Sequence, residues 1–154
     1  MLKELIEKEK FHLDAAEKLS DEIYQKLGPI FEQLREEYIR HGKEGLEKFI
    51  GEKHILKFYK YSSLDGYRLD GNTLILHYYD RGYDCYDGDE FEIPLEIVEK
   101  DLEESGKALD WYKELFEKAA KKKEEKRKKD EMSTREKELA ELKRLQEKYK
   151  NETN

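Results

Sequence analysis

The chain has 154 residues, of which 45 % are charged and 36 % hydrophobic, with eleven Tyr and six Phe and a net charge of −7. Against a globular norm of about 25 % charged residues, this leaves enough apolar material for one modest core but not enough to bury every helical surface. A disordered acidic chain would lack the aromatic content, so a folded core flanked by solvated helix is expected. The charge is divided unevenly. Residues 118–154 carry 14 Lys/Arg against 9 Asp/Glu, a balance of +5, while residues 1–117 carry 17 against 29, a balance of −12.

Residues 2–27 have a helical period. Leu5, Leu13, Ala16, Ile23 and Leu27 form one stripe, widened by Leu2, Ile6 and Leu19. Gly28 and Pro29 interrupt it with a missing donor and a crowded turn, which predicts either a kink or a tight helix–helix corner. The stripe then resumes in step at Ile30, Leu34 and Tyr38, with Gly42 as a stop signal. Leu46, Phe49 and Ile50 predict a short helical segment ending near Gly51.

From His54 the period changes to two. Residues 54–61 read as a strand, with Ile55, Lys57, Tyr59 and Tyr61 on one face. Residues 67–69 and 73–81 flank Asp70-Gly71-Asn72, a hairpin turn signal. In the second of these strands Leu74, Leu76 and Tyr78 face one way and Ile75, His77 and Tyr79 the other. Residues 90–98 alternate again, with Phe91, Ile93, Leu95 and Ile97 predicted inward. Pro94 marks either an edge strand or the point where that strand ends. An antiparallel meander of three or four strands follows. After Gly106 the helical period returns through Leu109, Tyr112, Leu115, Phe116 and Ala119 and continues toward the terminus. Residues 121–131 contain no apolar side chain, and Leu139, Leu142, Leu145 and Tyr149 then restore a narrow stripe that reads as a coiled-coil end and an oligomer seam. The expected fold class is therefore α+β: an N-terminal helical segment (1–53), a β-meander (54–98) and a long charged C-terminal helix (99–154).

Gly71-Asn72-Thr73-Leu74-Ile75-Leu76-His77-Tyr78-Tyr79-Asp80, a Gly/Asp/Tyr-rich tip, Phe91-Glu92-Ile93-Pro94-Leu95 and a following Lys/Glu-rich helix make up a recognisable strand–loop–strand pattern. It is similar to one that recurs in small accessory, host-interaction proteins of tailed bacteriophages, over roughly residues 66–130. The resemblance implies a setting, a phage protein that acts on host machinery and antagonises host defence. It carries no activity and no functional residue, and the N-terminal helices have no part in it.

The residues give catalysis no foothold. Phosphate-loop, nucleophile-elbow and zinc-helix motifs are absent, and His12, His41, His54 and His77 lie far apart and read as surface or strand residues. No cofactor is implied. The lone Cys85 sits among carboxylates, which disfavour its thiolate. With no disulfide partner and no signal peptide it points to a reducing cytoplasm, that of the host if the chain is phage-encoded. No run reaches the roughly 18–20 apolar residues needed to cross a bilayer.

The leading expectation is a non-enzymatic protein that binds and inhibits a host protein. Its contact surface would be Tyr79, Tyr83, Asp84, Tyr86, Asp87 and Asp89, tyrosines giving rigid contact area and carboxylates selecting a basic partner. Calcium binding by the same loop does not fit the EF-hand order, and imitation of nucleic acid by the acidic body is a further variant. Two alternatives stand beside it: a structural or assembly protein that dimerises through its helices, and a nucleic-acid-associated protein using Lys121, Lys122, Lys123, Lys126, Arg127, Lys128 and Lys129.

Overall fold

The computed structural model describes residues 2–41, 45–56, 62–80 and 88–152. Their order is α1 (Leu2–His41), α2 (Glu47–Ile50), a 3₁₀ turn (Glu52–His54), β1 (Ser62–Asp70), β2 (Thr73–Asp80), β3 (Gly88–Pro94), α3 (Leu95–Glu103) and α4 (Lys107–Glu152). The fold is α+β. Its sheet is an antiparallel meander in the order β1-β2-β3, with β2 in the centre.

One face of the sheet makes the core. Leu74, Leu76 and Tyr78 of β2 and Phe91 and Ile93 of β3 are buried against Leu27, Ile30, Phe31, Leu34 and Tyr38 of α1, Val98 of α3 and Ala108, Tyr112, Phe116 and Ala119 of α4. The inward positions of β2 and β3 are those expected from alternation. Two buried phenols are tied to backbone: Tyr112 donates to the His54 carbonyl at 2.7 Å and Tyr78 to the Ile55 carbonyl at 3.2 Å. These bonds let large side chains enter the core without orphaning a hydroxyl.

Four local expectations are resolved or corrected. Residues 2–41 form one unbroken helix with Pro29 inside it, so no corner forms at Gly28-Pro29. Pro29 is exposed while Leu27 and Ile30 beside it are buried, so the ring faces solvent and the stripe stays on the core. His54 closes a 3₁₀ turn rather than opening a strand, and β1 begins at Ser62 instead. Residues 57–61, expected to be in that strand, lie outside the described residues, as does Gly42. β3 ends at Pro94, and Leu95, Ile97 and Val98 belong to a helix rather than to a continuing strand. Leu95, Val98 and Leu102 satisfy a helical spacing as readily as a strand spacing, and Pro94, at φ −58°, is preset to begin the turn. The Leu95 N–H bonds the Asn72 carbonyl at 2.9 Å, pinning the new helix to the β1–β2 turn. Finally, α4 runs continuously through residues 121–138.

The α3–α4 corner has its own cap. Gly106, at φ +101°, turns the chain, and buried Asp101 accepts from the Gly106 N–H at 3.0 Å and the Ala108 N–H at 2.7 Å. Both donors stand at the start of α4, where no carbonyl lies one turn back to receive them.

Two stability changes of opposite sign follow. Pro29→Ala restores a donor toward the Gln25 carbonyl. It should raise unfolding stability by about 1–2 kcal/mol, the helix-interior penalty of proline less its gain in stiffening the unfolded chain. Tyr112→Phe removes the hydroxyl that donates to the half-buried His54 carbonyl and should lower stability by about 1–2 kcal/mol. Denaturant titration of the two variants beside the wild type measures both.

Candidate interaction surfaces

Of the residues expected to form a contact loop, Tyr83, Asp84, Tyr86 and Asp87 lie outside the described residues. The two that flank them are placed. Tyr79 is half-buried and pairs with Ser63 and Gly88, while Asp89 is half-buried and pairs with Tyr78. Directly opposed residues in an antiparallel pair share a face. Asp89 therefore lies on the side of buried Tyr78 and Tyr79 on the opposite side, so these two do not form one patch. Asp89 also turns inward on its own chain, its Oδ1 accepting from the Glu90 N–H at 2.9 Å.

The outer face of the sheet is laced with charge. Glu90 accepts from Arg68 at 3.2 Å and lies 3.3 Å from Nδ1 of His77, while Lys53 reaches Glu92 at 2.9 Å. Ile75 faces outward as expected yet is buried, standing in register between Arg68 and Glu92. Half-exposed pairs of this kind contribute at most about 1 kcal/mol each, so they shape a polar surface more than they hold the sheet.

The histidines meet different fates. His77 is a strand residue as expected, and His12 is exposed on α1. His54 is half-buried between the rings of Phe91 and Trp111, with Nδ1 2.9 Å from the Glu92 carbonyl. Its burial pushes its pKa below the ordinary imidazole value, an effect larger than the opposing pull of Glu92. His41 places Nε2 2.9 Å from buried Glu37, which also takes Arg40 at 3.0 Å. These are partners of structural carboxylates and carbonyls. Among the described residues no three His, Cys, Asp or Glu side chains converge as a metal site.

Two members of the basic run of α4 are answered within their own helix. Arg127 is held between Glu124 and Glu131, and Lys128 also reaches Glu124. The Arg127 hydrogen bond keeps the Glu124 carboxyl below the usual carboxylate range. Lys121, Lys122, Lys123, Lys126 and Lys129 are exposed on the same stretch. Phe49 shares an open groove with Lys123, Lys126 and Arg127, and Leu46 and Ala120 line another beside Lys123 and Arg127.

The largest apolar surfaces lie on the helix ends, where composition showed only that some helix must stay solvated. In α1 the buried positions occupy residues 27–38, and Leu2, Leu5, Ile6, Leu13, Leu19 and Ile23 are 72, 58, 55, 63, 61 and 37 % exposed. In α4 the buried positions occupy residues 108–119, and the expected seam of Leu139, Leu142, Leu145 and Tyr149 is 51, 52, 37 and 65 % exposed. Each helix thus has an anchored part and an arm, residues 2–23 in α1 and 121–152 in α4. At about 100° per residue, the six arm side chains of α1 continue the face that its core residues use. The α4 seam lies roughly a third of a turn away from the core face of its own helix. Among the described residues no helix is long and apolar enough to cross a membrane.

No family model, curated protein or solved structure matches the chain.

The sign of the His54 effect can be checked directly. Because the folded state holds the ring neutral, stability contributed by that state is full above the unfolded pKa of about 6.5 and declines as pH falls from there through the lowered folded value. An NMR titration of the His54 ring should give a midpoint below about 6.5, and a midpoint at or above it would contradict the burial.

Proposed function

We propose that the protein is a non-enzymatic binding protein whose helical arms are its contact surfaces. The observation that supports this most is the run of six apolar side chains along residues 2–23, each between 37 and 72 % exposed, on a helix whose remaining third is core. Side chains of this kind scattered singly need no explanation, but a continuous stripe at helical spacing is the form in which helices meet other helices. The exposed seam on α4 is a second surface of the same kind.

This reading shifts weight from the β2–β3 connection to the helices, toward an assembly or adaptor role. The resemblance to phage accessory proteins supports a bacterial host protein as the partner and inhibition as the outcome. Nucleic-acid binding is disfavoured as a main activity because acidic side chains interleave the basic run and Arg127 is already paired on both sides.

The experiment is a pull-down from bacterial lysate with mass spectrometry, run with the wild type, an arm variant (Ile6→Asp with Leu13→Asp) and a loop variant (Tyr83→Ala, Asp84→Ala, Tyr86→Ala and Asp87→Ala). The arm reading expects capture by the wild type and the loop variant, and at least a tenfold loss in the arm variant. Capture lost only in the loop variant would return the contact to the β2–β3 connection.

A further inference from the structure

We infer that the α1 arm is built to take the α4 arm of a second copy of this chain, so that two copies close into a dimer with two equivalent seams. The inference rests on the reading that the arms are contact surfaces and takes a second copy, rather than a host protein, as what covers them.

The first ground is the pattern of α1. Leu2, Ile6, Leu13, Ala16 and Ile23 follow an alternating four-and-three spacing whose polar steps are Glu9 and Ser20, and the same ladder continues without a slip into buried Leu27, Ile30 and Leu34. A ladder sustained over more than four heptads is the signature of a helix seated along another helix for its whole length, with polar steps that fix register. Its last third is occupied by this chain's own core. The arm is a prolongation of an interface that already exists, and the missing occupant lies on the same side.

The second ground is charge. Residues 2–23 carry four lysines against seven carboxylates, a balance of −3, and residues 121–152 carry 13 Lys/Arg against 9 carboxylates, a balance of +4. Pairing like arms sets −3 against −3 or +4 against +4, whereas pairing an α1 arm with an α4 arm sets opposite balances together. Within one chain the two arms do not cover each other, since the apolar residues of both are exposed. A second copy supplies each arm with its complement, and a two-fold arrangement uses all four arms without leaving an open end.

The third ground is area. Six arm side chains of α1 and Leu139, Leu142 and Leu145 of α4 offer about 60 Å² each, so two copies would bury roughly 1,100 Å² of apolar surface, which clears the ~1,000 Å² expected of a specific interface. Lysine and glutamate stems along both seams add to it.

The test is sedimentation equilibrium of the full chain and two variants, Ile6→Asp with Leu13→Asp in the α1 arm and Leu142→Asp with Leu145→Asp in the α4 arm. All four positions are exposed, and an unchanged near-ultraviolet signal from Trp111 and the buried tyrosines confirms that each variant keeps its core. The wild type should sediment at twice the 18.6 kDa of one chain, and each variant alone at once that mass. An equimolar mixture of the two variants should sediment above the mass of either variant alone, because the intact α4 arm of one meets the intact α1 arm of the other and restores one of the two seams. A variant that remains dimeric by itself overturns the pairing, since it would show that like arms meet. A monomeric wild type overturns the second copy as occupant, and in that case loss of lysate capture in the arm variant would still uphold the arms as contact surfaces.

Discussion

The structure depends on a mismatch of lengths. Strands of seven to nine residues span about 23–30 Å, whereas helices of 40 and 46 residues extend about 60 and 69 Å. A three-stranded sheet with one buried face can cover only a fraction of either helix. The core accordingly takes residues 27–38 of α1 and 108–119 of α4 and stops. What lies beyond must stay helical in water or find cover elsewhere. In α4 the uncovered stretch next to the core is sustained by Glu–Arg and Glu–Lys pairs one turn apart. In α1 the uncovered stretch keeps its leucines.

Given so small a core, the attachments at its rim matter. Asp101 satisfies the first donors of α4, the Tyr112 and Tyr78 phenols tie α4 and the sheet to the segment after α2, and Tyr24 donates to the Asp65 carbonyl at 2.6 Å where β1 bulges. Rings interlock beneath them, Phe91 standing edge-on to Tyr112 and to Trp111. The result is a compact anchor that fixes the start of one long helix and the end of another. The functional reading follows from this division, because the extended parts hold the uncovered apolar surface.

Much of this was legible in the sequence where a single period dominated. The stripe of α1, the Gly71-Asn72 turn and the inward set of β2 follow from spacing, whereas the continuity of α4 through residues 121–131, which hold no apolar side chain, does not. Spacing also failed where two periods coincided. Phe91, Ile93, Leu95 and Ile97 alternate straight through Pro94, while in the structure the Pro94 φ and the bond from the Leu95 N–H to the Asn72 carbonyl start a helix there. His54 looked like a β-former in a β-rich run, but the positive φ of Gly51, +99°, redirects the chain into a 3₁₀ turn and delivers the imidazole among aromatic rings. The contact loop was chosen by composition, which has no knowledge of faces, and Tyr79 and Asp89 proved to lie on opposite sides of the sheet. The α1 arm shows the converse difficulty, since an apolar stripe reads the same whether its own chain covers it or not.

Pro29 gives the molecule a mechanical joint. It sits two residues past Leu27, where α1 enters the core, and leaves the Gln25 carbonyl without its usual helical donor. Bending stiffness is therefore lowest just inside the held part of the helix, since buried Leu27 and Tyr24, bonded to the Asp65 carbonyl, lie on the arm side of it. From that pivot to Leu2 is a lever of about 40 Å, so a tilt of only about 10° would swing the tip by roughly 7 Å, straining the Leu27 packing and the Tyr24 bond but leaving Ile30, Phe31 and Leu34 in place. Compliance concentrated at one residue lets the free limb search for a neighbour and settle against it, with the sheet serving as the fixed mount.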